Sequence, residues 1–146
     1  MYTGLLHTHN LFRWLVLLSF VFTIIFALAG WFGKKSWTKR DDISGLTLTI
    51  FMDIQFLVGL ILYFFVSPIT QAAFADFGGA MKNAELRFYA VEHILMMFIA
   101  LVLVHIGRMK IKRINADWKK HRAAVVWFGI ALVIIIAAIP WERALM

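Results

Sequence analysis

The sequence predicts an all-α integral membrane protein, a four-helix up-down bundle, and three observations lead there. Of 146 residues, 62% are hydrophobic and 16% charged, with a mean hydropathy of +0.82, far more apolar than a soluble domain of this size. Four stretches carry almost no charge over a length that crosses roughly 30 Å of hydrocarbon. Their connections are short, which forces neighbouring spans to run antiparallel.

Span one covers about residues 11–33. Ala27-Leu28-Ala29 has the small-residue look of a signal-peptide cleavage site, but the apolar run is too long and no basic region precedes it, so a retained span is expected. Within it Ser19, Thr23 and Ala27, continued by Gly30, line one helix face with small side chains, a pattern for close helix packing. Span two, about residues 45–66, stops at Ser67-Pro68, because proline cannot continue a helix. Gln55, Gly59 and Tyr63 recur every fourth residue on it, setting an amide, a gap and a phenol along one face; the gap would admit another helix or a flat cofactor.

The loop from about 67 to 86 is interrupted by Gly78-Gly79 and carries Phe74 and Phe77, which suit a membrane surface. Spans three and four cover about residues 87–107 and 123–139. All four are expected to be helices, since unpaired backbone groups are costly in lipid. Trp14, Trp31, Trp37, Trp118 and Trp141 fall near span ends, as an interfacial belt requires.

The formal charge is +7, and eleven of the fifteen basic residues sit in two loops. Lys34, Lys35, Lys39 and Arg40 follow span one; Arg108, Lys110, Lys112, Arg113, Lys119, Lys120 and Arg122 join spans three and four. The positive-inside rule makes those loops cytoplasmic and puts both termini and the 67–86 loop outside. The basic excess is thereby explained without nucleic acid, the bilayer and its anionic lipids being the natural partners. Cysteine is absent, which excludes disulfides, thiolate metal sites, cysteine-held iron–sulfur clusters and covalent haem attachment.

Polar residues within the spans are the functional candidates, because ionisable groups at membrane depth are costly unless they pair or coordinate. They are His7, His9, Asn10 and Arg13 at the outer end of span one, Asp53 and Gln55 in span two, and Glu92, His93 and His105 in span three. Two neutral imidazoles on facing helices are what a six-coordinate b-type haem requires. His93 with His9, or His7 as the alternative, supplies that pair. Arg13, one helical turn from His9, would pair with a haem propionate, and Glu92 would pair with Arg13 or accept the N–H of a ligating imidazole.

The simpler readings are interfacial histidines at positions 7 and 9 and a polar helix contact at Glu92-His93. His105 and His121 read as surface residues on the cytoplasmic side, and Met96 and Met97 as packing residues. Twelve residues separate His93 from His105, leaving them roughly 120° apart around the helix, which favours one haem over two stacked ones. With ideal upright helices, His9 and His93 differ in depth by roughly 15 Å, which helix tilt or a sunken first helix would have to absorb.

The segments "LLHTHNLFRWLVLL", "IQFLVGLILYFFVSP", "LRFYAVEHILMM" and "AIPW" resemble a family of small bacterial four-span membrane proteins labelled cytochrome B or cytochrome b-like, over nearly the whole chain. The resemblance implies a four-helix b-haem protein of the bacterial cytoplasmic membrane. It matches His9 and Arg13 in the first motif, Gln55 and Gly59 in the second, and Glu92 and His93 in the third. Members often have His where this chain has Asp53, a departure that puts haem content in question and leaves Asp53, with Glu92, as a proton-relay candidate. The leading expectation is a membrane cytochrome with one b haem that carries single electrons, with a quinone or a redox protein as electron partner and homo-oligomers admitted. The alternatives are a haem-dependent small membrane oxidase acting on a porphyrin precursor or quinol, and a haem-free accessory or assembly protein.

Overall fold

A computed structural model describes residues 1–144. Four long helices form the bundle: α1 (Tyr2–Phe32), α2 (Lys39–Ile61), α6 (His93–Arg113) and α7 (Asp117–Ala138). Short helices α3 (Pro68–Ala75), α4 (Phe77–Ala80) and α5 (Ala84–Arg87) bridge α2 to α6, and α8 (Trp141–Ala144) follows α7. The loop expected to be broken by Gly78-Gly79 is therefore largely helical, with Asp76 and Asn83 capping its turns.

The bundle's long helices alternate in direction, with helix–helix contact running α1 to α2, α2 to α6, α6 to α7 and α7 back to α1, sparsest at α2–α6. Four continuous helical runs, Tyr2–Phe32, Lys39–Val66, Ala84–Arg113 and Asp117–Ala138, are long and apolar enough to span a membrane. Their outward faces carry exposed Leu18, Phe22, Leu57, Phe98 and Val133, an apolar surface of the kind that water-soluble bundles cover with charge.

Each helix starts and stops for a local reason. At the start of α2 the Asp41 carboxylate accepts from the Thr38 backbone N–H at 2.8 Å and from its hydroxyl at 3.0 Å, tying down the first turn. At the far end of α2 the winding widens into a π turn at Leu62–Val66, and Ser67 then caps α3 with Pro68 at its first position. A second π turn, Phe88–Glu92, leads into α6. The two turns face each other: the Tyr63 hydroxyl donates to the Ala90 carbonyl at 2.6 Å, and the Thr70 hydroxyl donates to the Tyr63 carbonyl at 2.7 Å.

The core lies toward the basic-loop end, where Phe20, Leu48, Val104 and Phe128 are fully buried. Glycines let the helices approach there. A Cβ on Gly107 would stand 2.7 Å from Trp127 Cβ, and one on Gly30 would enter the His121 ring. His121, expected at the surface, is 1% exposed, packed 5.0 Å from the Trp37 ring centre with Nε2 3.2 Å from the Lys35 carbonyl. Gly30 made that burial possible.

Candidate functional site

Toward the terminal end the helices separate around a cavity of about 180 Å³. Its wall includes His9, Asn10 and Arg13 from α1, Gln55, Gly59 and Tyr63 from α2, and His93 from α6. The every-fourth-residue face of α2 is thus the one turned inward, and its three members have distinct jobs. Gln55 donates to the His9 carbonyl at 2.9 Å, with its Nε2 also 3.4 Å from the His9 Nε2. Gly59 leaves room for the His9 ring, since a Cβ there would lie 3.2 Å from His9 Cε1. Tyr63 clamps the neighbouring π turn.

His9 and His93 meet across this cavity, their ring centres 6.5 Å apart and their planes at 70°. The expected depth gap narrows to about one helical turn. The apolar runs in the sequence place the helix ends too near the bilayer: α1 is helical from Tyr2 to Phe32 and α6 runs on to Arg113. Counting about 1.5 Å per residue from Phe32 and from Arg113 puts the two histidines about 35 Å and about 30 Å from the basic-loop end, a difference of one helical turn.

The His93 Nδ1 lies 2.8 Å from the Ala138 carbonyl. Ala138 ends α7 and Pro140 follows, so this carbonyl has lost its helical partner and is free to accept. The contact fixes Nδ1 as a protonated nitrogen, so that in the neutral ring the Nε2 lone pair is the one available. On His9 the Nδ1 atom is buried with no hydrogen-bond partner among the described residues. Arg13 is buried at 9% exposure, one turn further in, and its Nη1 donates to Asn10 Oδ1 at 3.2 Å.

Other candidates go elsewhere. His7 is exposed and outside the cavity wall, as two residues from His9 turn it about 200° around the helix. Glu92 is half exposed and held by Arg87 Nε at 2.8 Å, so the expected contacts with Arg13 or a ligating imidazole are replaced by a local pair. Asp53 pairs with His105, Oδ1 to Nε2 at 2.7 Å, on the outer surface. Met97 lines the cavity wall. Among the described residues no cluster of three or more His, Cys, Asp or Glu side chains is placed to hold a metal ion, so any metal here must bring most of its own ligands, as a porphyrin does.

Sequence reasoning missed two contributors, Thr70 and the Ala138 carbonyl. The first had no signal beyond its neighbour Pro68; the second is backbone, and the Pro140 that frees it was the only trace. Comparisons with family models, curated proteins and solved structures yield no match.

Proposed function

We propose that this chain is a multi-pass protein of the bacterial cytoplasmic membrane that holds one b-type haem between His9 and His93 and carries single electrons. The observation that supports this most is the facing imidazole pair. Two imidazoles ligating one metal ion from opposite sides have ring centres about 6 Å apart, from metal–nitrogen bonds of about 2 Å plus about 1 Å from each nitrogen to its ring centre. The 6.5 Å separation fits that requirement, and the partnerless His9 Nδ1 and the oriented His93 ring fit a ligand role.

The chain's residues then divide the work. Ala138 orients His93; Gln55 and Gly59 seat His9; Arg13 offers a cation inside the apolar wall for a propionate. A bound b haem would supply reversible one-electron chemistry, and its potential would follow the hydrogen bonding and burial of these imidazoles. The asymmetric placement of Lys and Arg supports cytoplasmic basic loops and external termini, with a quinone or a redox protein as electron partner. Asp53 and Glu92 both lie outside the cavity wall, so the proposal gives neither a proton-relay role.

The test is a reduced-minus-oxidised visible spectrum of protein produced with ample haem. Low-spin b-type bands are expected in the wild type and in His7→Ala, and their loss in His93→Ala and His9→Ala. Absence of haem bands in the wild type would overturn the reading in favour of a haem-free accessory protein.

A further inference from the structure

Outside the cavity the least expected feature is the Asp53–His105 pair. It bridges α2 and α6, the most sparsely packed seam of the bundle, and both side chains are close to half exposed, 44% and 46%. Around it on the same two helices stand exposed Ile50, Leu57, Phe98 and Val102. Asp53 lies fourteen residues from the start and thirteen from the end of the Lys39–Val66 run. A carboxylate and an imidazole thus sit at mid-span on an outward face that is otherwise apolar. In hydrocarbon such groups are costly unless every polar atom is satisfied.

The pair satisfies only half of itself. Oδ1 of Asp53 and Nε2 of His105 are matched to each other, while Oδ2 and Nδ1 have no hydrogen-bond partner among the described residues. In the net-neutral form of the pair, with one proton held between Oδ1 and Nε2 and one on Nδ1, the Nδ1–H donor and the Oδ2 acceptor both remain to be satisfied. A two-fold axis through such a patch closes it: the remaining imidazole N–H of each copy meets the remaining carboxylate oxygen of the other. Interhelical polar contacts of this kind hold membrane helices together where apolar surface gives no preference over lipid.

We infer that the α2–α6 face is a self-association surface, on which a second copy of this chain covers Asp53 and His105 in a reciprocal four-group network. The inference rests on the helices being membrane spans and not on the haem. Carbonate-resistant retention in membranes tests the first condition, and the visible spectrum tests the second separately.

The cysteine-free sequence makes a clean experiment available. Leu57→Cys places a single thiol one turn from Asp53; Leu18→Cys places one on the exposed face of α1 as a control. Oxidation in membranes is expected to give at least fivefold more disulfide-linked dimer with Leu57→Cys than with Leu18→Cys, and Asp53→Leu in the Leu57→Cys background is expected to bring the yield down to the control level. Equal yields from the two cysteines would overturn the proposal, as would cross-linking of Leu57→Cys to a different protein in place of its own copy. Should Asp53→Leu fail to accumulate, native mass measurement of the wild type in lipid nanodiscs decides: twice the 16.8 kDa chain mass supports the inference, and the chain mass alone overturns it.

Discussion

The two halves of the bundle are built from the same four helices and packed in opposite ways. Toward the basic loops, Gly30, Gly45 and Gly107 draw the helices together, and Phe20, Leu48, Val104 and Phe128 fill the space between them. Toward the termini, both π turns widen the helices, a few polar side chains join the apolar ones facing inward, and a cavity remains. Packing density tracks small residues in the first half. In the second, the inward groups are held by specific hydrogen bonds: Tyr63 to Ala90, Gln55 to His9, His93 to Ala138. The difference separates a close-packed half from one that leaves a cavity, and π turns of this kind recur at functional sites.

Substitutions test that division. The largest effect is expected from His93→Ala, which removes a proposed haem ligand from the open half: the haem-to-protein ratio should fall at least tenfold, while the thermal unfolding midpoint of the haem-free protein changes little. In the packed half the reverse holds. Phe128→Ala removes a fully buried ring and should cost about 3–5 kcal/mol in a denaturation measurement, with the spectral position of the haem retained in the fraction that folds.

Smaller effects sharpen the comparison. Gly107→Ala would put a methyl group 2.7 Å from Trp127 Cβ, against a helix wall that cannot easily move, and should destabilise by about 1–3 kcal/mol without altering haem content. Gly59→Ala would put one 3.2 Å from His9 Cε1; the ring must shift by a few tenths of an ångström, and the expected result is a changed low-spin spectrum with stability nearly unaltered. The smallest effect is expected from Glu92→Gln. It breaks a half-exposed pair with Arg87, worth about 0–1 kcal/mol, and leaves haem binding unchanged. Loss of haem in that variant would restore Glu92 to the site.

Much of the architecture was legible beforehand. Four apolar runs with short connections define four helices, and Gln55, Gly59 and Tyr63 were visible as one face because their spacing is that of the helix. Misreadings arose where ends mattered. Apolar composition marks where a helix meets lipid and says nothing of where the winding stops, so the nine residues before Leu11 and the six after Gly107 were left out of the helices that contain them. The six residues omitted after Gly107, about 9 Å of helix, account for most of the depth gap between His9 and His93. His121 was misplaced for a different reason, since it found a space left by Gly30, far away in sequence; His105, exposed as read, gained an unforeseen partner in Asp53 across a seam.

The sequence by itself determined the number of long apolar helices, the segregation of basic charge into two loops, and the short roster of polar groups inside the helices, because composition and periodicity are local properties. Tertiary structure alone decided which of those groups meet. Azimuth and height on separate helices are set by packing, π turns and helix length together, and these bring His9 to His93, turn His7 and Glu92 away, and leave Asp53 and His105 as a pair on the outer face.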